Sequence, residues 1–177
     1  MGATGNELKS KAIRSMANPQ PAFEAVDVRP MRPEDLRGVM AIENQAYSVP
    51  WSRATFDGLI DRHDADVFVA TAYGRVVGYA VCWAVIDQAE LGNIAVAAPW
   101  RRRGVASRLL EAVLERQRER GVKQVYLEVR ATNRAAQKLY ERFGFEPVGH
   151  RAAYYSQPTE DALVMARIME GPTEDRP

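Results

Sequence analysis

The chain has 177 residues, 46% of them hydrophobic, which is the length of one ordinary domain with enough apolar material for a single core. Its 24 basic and 23 acidic side chains leave a net charge of +1, so no general field draws it to nucleic acid or to an anionic membrane. The single cysteine, Cys82, excludes an intramolecular disulfide and, inside the apolar run Val81–Val85, reads as a small core residue in a reducing compartment. The longest apolar stretch falls far short of the ~20 residues that span a bilayer. Met1–Gln20 carry no hydrophobic signal segment, and Asn6 stands where a myristoylation motif wants Ser or Thr. A cytoplasmic protein is expected.

Residues 1–22 are polar or small, with Gly2, Gly5, Asn18, Pro19 and Pro21, and read as a mobile arm. Phe23 to Arg29 alternates apolar and charged residues, as a half-buried strand does. Pro33 with Glu34 and Asp35 opens a helix whose buried stripe is Leu36, Val39, Met40 and Ala46, and Pro50 stops it. Ser52 caps a shorter helix with Phe56, Leu59 and Ile60 on its apolar face. Asp66–Tyr73 and Val76–Ile86 are strands joined by a tight turn at Gly74–Arg75, and Leu91–Val96 is another, ending at Pro99. Val105, Leu109, Leu110, Val113 and Leu114 recur at helical spacing up to Gly121. Val125–Arg130 reads as strand, Asn133–Arg142 as helix, and Glu146–Tyr155 with Ala162–Ile168 as a closing hairpin. Residues 170–177 lack apolar periodicity and read as a frayed tail, which leaves a folded unit at 23–169. The order predicts a mixed α/β or α+β domain without internal repeats.

The most informative segment runs from Asn93 through Arg101-Arg-Arg-Gly104-Val-Ala106 to Leu110, a strand turning through a basic loop directly into a helix. Such a junction gathers free backbone N–H groups and the positive end of a helix dipole at one point, where a pyrophosphate fits. Gly104 and Ala106 keep side chains clear of a close ligand, and the arginines add countercharge. Read bare, the same residues also suit a solvated turn. The loop is neither the dinucleotide fingerprint nor a Walker loop.

Arg101-x-x-Gly104-x-Ala106 after a strand resembles the acetyl-CoA signature of the GNAT acetyltransferases. Asn93-Ile-Ala-Val96, Leu127-Glu-Val-Arg-Ala-Thr-Asn133, Leu139-Tyr140, Gly144-Phe145, Tyr154-Tyr155 and Asp161-Ala162 are similar to the RimI type of that family. The resemblance covers about residues 26 to 169 and implies the GNAT acyl-CoA N-acyltransferase fold, a mixed sheet of about seven strands flanked by four helices. It also implies acetyl-CoA as donor and the N-terminal alanine of a small-subunit ribosomal protein as acceptor.

Acetyl transfer from a thioester to an amine needs a proton acceptor, an oxyanion donor and an acid for the thiolate. Strand alternation puts Tyr126, Glu128 and Arg130 on one side, so Glu128 is a carboxylate on a rigid element, either a base or a glutamate paired with Arg130 or a neighbouring strand. Asn133 and Tyr140 stand two helical turns apart and share a face, where Tyr140 is either an acid or a packing aromatic. The resemblance makes Glu128 the proton acceptor, Tyr140 the proton donor and Asn133 a coenzyme contact. It gives the acetyl and pantetheine arm to the amides of Ile94, Ala95 and Val96, with Val96 facing the oxyanion. The pyrophosphate falls to the amides of Arg102, Arg103, Gly104, Val105, Ala106 and Ser107. The acceptor lies between Tyr47–Ser52, with Tyr47, Pro50 and Trp51, and Tyr154–Thr159, with Tyr154 and Tyr155; Trp51 equally suits an anchor for the short helix. His63-Asp64-Ala-Asp66 reads as a polar connection, and no metal is expected. A small-amine acetyltransferase and a non-catalytic acyl-CoA-binding module remain the alternatives.

Overall fold

The structure is a computed structural model that describes residues 26–169; the expected arm at 1–22, the strand residues 23–25 and the tail at 170–177 lie outside the described residues. Seven strands and four helices follow in the predicted order. They are β1 (Asp27–Pro30), α1 (Leu36–Ala46), α2 (Arg53–Ile60), β2 (Ala65–Ala72), β3 (Arg75–Val85), β4 (Gln88–Val96), α3 (Val105–Glu119), β5 (Gln124–Arg130), α4 (Arg134–Arg142), β6 (Glu146–Ser156) and β7 (Thr159–Ile168). The strands form one sheet in the order β1-β2-β3-β4-β5-β7-β6. Every neighbouring pair is antiparallel except β4 and β5, which are joined through the crossover helix α3.

Strand alternation divides the core between the two faces. Val67, Val69, Tyr79 and Val81 pack under α1 and α2 with Leu36, Val39, Phe56 and Leu59. Ala70, Ala80, Cys82, Leu91, Val125 and Leu127 pack with Leu109, Leu110 and Val113 of α3 and Tyr140 of α4.

Several boundaries differ from the expectation, β7 among them, which begins at Thr159 and not Ala162. Pro33–Asp35 form a 3-10 turn ahead of α1, braced by the Asp35 carboxylate, which accepts from the Arg29 guanidinium and the Arg32 amide. α1 stops at Ala46, short of Pro50, because Tyr47 is extended at φ −121° and its hydroxyl is drawn to the Ile94 carbonyl. The buried stripe of α1 continues through Ile42 and Glu43, with Met40 and Ala46 only half-buried. The β2–β3 turn lies at Tyr73–Gly74, both with positive φ as a two-residue hairpin with right-handed strand twist requires. β4 also begins earlier, at Gln88.

Asp66, in the polar connection read after His63, accepts from Arg116, Gln117 and Arg120 and so ties β2 to α3. Among the described residues no three His, Cys, Asp or Glu side chains gather as a metal site. Leu109 is fully buried between α3 and the sheet. Leu109→Ala is expected to cost about 2–5 kcal/mol in urea unfolding. Ile168→Ala, at a side chain 71% exposed, should stay within about 0.5 kcal/mol of wild type.

Candidate active site

β4 and β5 pair only from Gln88↔Gln124 to Leu91↔Leu127. Beyond that point β4 follows β3 up to Val96↔Gly78, while β5 follows β7 up to Arg130↔Ala162, so the two parallel strands diverge. The cause is local. Val81 opposes Asn93 but Cys82 opposes Leu91, which makes Gly92 an extra residue that bends β4. A Cβ on Gly92 would lie 2.2 Å from the Trp83 ring and 3.0 Å from Trp51, so only glycine lets both indoles close over the bulge.

Inside the gap, backbone direction is set by a few bonds. The Ala97 N–H reaches Val77 of β3 at 2.9 Å, so by alternation the Ala95 N–H also faces β3, and those of Ile94 and Val96 face the gap. Their carbonyls are already capped, Ile94 by the Tyr47 hydroxyl at 3.0 Å and Val96 by Arg101 Nε at 3.0 Å. What the strand offers to a ligand is therefore a pair of N–H donors.

Past Val96 the chain turns at Ala98–Trp100 and enters α3 through Arg102 at φ 60° and Gly104 at φ 77°. These left-handed residues aim successive amides the same way. Among the described residues, the amides from Arg102 to Ser107 have no hydrogen-bond acceptor, and a row of unpaired donors at a helix N-terminus fits a pyrophosphate. The arginines divide their work: Arg101 anchors the strand end, Arg103 stacks over Trp100 at 5.5 Å, and Arg102 stays exposed without an ion pair among the described residues. Val105 is buried, with Ala106 half-buried behind it.

Glu128 sits on β5 where the gap opens, its carboxylate 14% exposed and 3.3 Å from Arg151 of β6, not from Arg130. Tyr140 is buried on the α4 side and held edge-on by Phe145 at 5.8 Å. Asn133 is the cap of α4 rather than a residue within it. Its Oδ1 accepts from the Ala136 amide at 3.1 Å, and its NH2 has no partner among the described residues. Beside Glu128 lies a trough of about 240 Å³ lined by Trp83, Glu90, Tyr126 and Arg151. Burial, reinforced by the Glu128 charge, raises the Glu90 carboxyl above its ordinary range. A separate cavity of about 540 Å³ between α2, β2 and α3 touches none of these groups.

The two aromatic loops meet across the gap. The Ser48 hydroxyl donates to the Gln157 carbonyl, and Arg130 reaches Pro158, Gln157, Ser48 and Glu160 while lying 4.2 Å over the Tyr155 ring. Tyr154 packs edge-on against Tyr155 at 5.1 Å and stays 46% exposed. Trp51 packs on Phe56 and Trp83, so it anchors α2 and walls the gap at once, while Pro50 is exposed. No sequence motif singles out Trp83, Glu90 or Arg151 for this site, and the sequence offers Arg130 only as a partner of Glu128.

The matching family model, Acetyltransferase (GNAT) family, covers residues 36–145. The chain belongs to this family. It is 40% identical over 134 residues to the [ribosomal protein bS18]-alanine N-acetyltransferase of Salmonella typhimurium, covering 75% of this chain and 90% of that one. It is 38% identical over 134 residues to the Escherichia coli protein of the same name, with the same coverage of 75% and 90%. The crystal structure of the ribosomal-protein-S18-alanine N-acetyltransferase from Escherichia coli superposes with a TM-score of 0.77 at 34% identity, covering 86% of this chain and 99% of that chain. As a GNAT acetyltransferase the chain is an acetyl-CoA-dependent N-acetyltransferase. No helix among the described residues is long and apolar enough to cross a membrane.

The tyrosines around the gap carry a pH signature. Burial raises the hydroxyls of Tyr47, Tyr79 and Tyr140 far above the ordinary phenol value, with neighbouring Tyr and Glu43 charges adding to the first two and Tyr155 to the third; Tyr155 itself is pushed up to about 12, chiefly by burial. Their folded values are raised, so the contribution is whole below the unfolded value of ~10 and is lost as pH rises through the folded values. The free energy of urea unfolding should hold to about pH 9 and then fall steeply as pH rises through the unfolded phenol value of ~10. Tyr79→Phe, which removes one of the four raised hydroxyls, should make that fall shallower.

Proposed function

We propose that this chain acetylates the free α-amine of a protein N-terminus, an alanine terminus of ribosomal protein bS18, in the cytoplasm. The observation that carries this reading is the joining of the two aromatic loops. Ser48, Gln157 and Arg130 join the two loops into one wall beside the gap, a surface that suits an extended chain end better than a folded segment with an internal lysine. The names of the Salmonella and Escherichia coli relatives supply the acceptor.

In the proposed route the neutral amine attacks the thioester carbonyl carbon, the new N–C bond forms and the C–S bond breaks. Glu128 takes the proton leaving nitrogen, directly or through one water, and Tyr140 gives its hydroxyl proton to the sulfur. The Ile94 and Val96 N–H donors receive the negative charge on the carbonyl oxygen. Arg102 to Ser107 hold the pyrophosphate, and Asn133 offers its NH2 to the coenzyme. A tyrosine kept protonated by burial remains an acid throughout the working pH range, which suits this division.

A peptide beginning with a free alanine should be acetylated far faster than the same peptide with a blocked terminus and an internal lysine, with mass spectrometry locating the added group. Glu128→Gln and Tyr140→Phe should each lower kcat by about 10²-fold with acetyl-CoA affinity retained. Acetylation on lysine, or a free polyamine outcompeting every peptide, would reject the N-terminal reading and favour a small-amine acceptor.

A further inference from the structure

Glu43 projects from α1 into the core and is 0% exposed, yet it forms no ion pair among the described residues. Its oxygens are instead satisfied by three different parts of the fold. Oε1 accepts the Trp51 backbone N–H at 2.7 Å, Oε2 accepts the Tyr79 hydroxyl from β3, and the Asn93 amide of β4 lies 3.4 Å from both. An apolar side chain of similar volume would fill this space without the cost of burying a carboxyl group, so packing does not explain the residue.

The connections explain it better. Asn93 directly precedes Ile94, whose carbonyl takes the Tyr47 hydroxyl at 3.0 Å. The 47–52 loop is therefore pinned to the same stretch of β4 at both ends, by Tyr47 to Ile94 and by Trp51 through Glu43 to Asn93. That stretch carries the two N–H donors facing the gap. We propose that Glu43 is a positioning residue: it makes the acceptor loop and the acetyl-facing strand one body, so that coenzyme on β4 is felt by the loop and the acceptor amine meets the carbonyl at a fixed distance. The proposal rests on the reading of 47–52 as an acceptor wall, and on nothing about which amine is accepted.

The test uses the full chain with three variants. Glu43→Leu removes both acceptor oxygens, Glu43→Gln keeps an oxygen for Trp51, and Asn93→Ala cuts only the link to β4. Hydrogen exchange needs no acceptor: the Trp51 amide should be protected in wild type and more so with acetyl-CoA. Protection should be lost in Glu43→Leu, and the added effect of acetyl-CoA should be lost in Asn93→Ala. With whichever amine wild type acetylates best, Glu43→Leu should lower kcat/KM for that amine by about 100-fold while calorimetric acetyl-CoA affinity stays within about twofold. Glu43→Gln should recover most of the loss. If Glu43→Leu does not fold, Asn93→Ala decides the matter by the same two readings. Wild-type exchange at Trp51 with wild-type kcat/KM in the folded variants overturns the proposal. A wild type that acetylates only small amines defeats the N-terminal reading and leaves the exchange result standing.

Discussion

The site depends on one backbone irregularity, the extra residue at Gly92. Parallel strands joined by a crossover helix ordinarily stay paired along their length, and here four registered pairs are followed by divergence. The bulge turns the end of β4 toward β3, β5 continues with β7, and the edge amides that a continued ladder would have used become donors to a ligand. The same bend points the end of β4 into the left-handed turns at Arg102 and Gly104, so the two strand donors and the row of free amides lie in one line along the chain. Glycine is required twice in this stretch, once for space beneath Trp83 and Trp51 and once for backbone angle at Gly104.

A gap between strands exposes polar backbone and must be kept from closing or filling with solvent at random. The structure meets this need with side chains that cap carbonyls and leave amides free, Tyr47 on Ile94 and Arg101 on Val96. Gln137, buried on α4, does the equivalent for the end of β5 by donating to the Arg130 and Ala131 carbonyls. The resulting rim is poor in acceptors and rich in donors, the polarity that suits a developing oxyanion and a phosphate-bearing cosubstrate. Alternate residues on β5 then serve different ends, Glu128 facing the trough beside Trp83 and Arg130 holding the two loops together.

Much of this was legible in the sequence because it is carried by local pattern. The order of elements followed from hydrophobic period and turn residues, and the turn from β4 into α3 from a strand, an arginine run, Gly104 and a helix in succession. The cap role of Ser52 held as read, its hydroxyl accepting from Thr55 at 3.1 Å. Other features depend on pairings distant in the chain. The partner of Glu128 is Arg151 of β6 rather than nearby Arg130, because register across β7 decides which residues face each other. Gly92 could not be seen as a bulge without knowing that Val81 and Cys82 straddle it. Glu43 did leave a trace, for it falls seven residues after Leu36, on the buried stripe of α1, where a carboxylate has no business unless it is bonded. Asn133 was placed on the right end of α4, but capping consumes its oxygen and separates its role from that of Tyr140.

The one thiol of the chain bears on the chemical route. Cys82 lies on β3 facing α3, fully buried, and burial drives its thiol far above the ordinary range, with the Asp66 and Glu90 charges adding to the effect. A thiol in that state is a poor nucleophile, and its face of the sheet is the one packed under α3. A carrier residue would also have to stand between donor and acceptor, and the side chains that the proposed route puts there are a carboxylate with an arginine partner and tyrosines held neutral by burial. Within the proposed reaction these groups exchange protons and do not carry acyl groups. The arrangement therefore favours direct passage of the acetyl group to the amine, and the demand on the protein in that route becomes one of distance between two substrates, the quantity that the proposed Glu43 link between the 47–52 loop and β4 would fix.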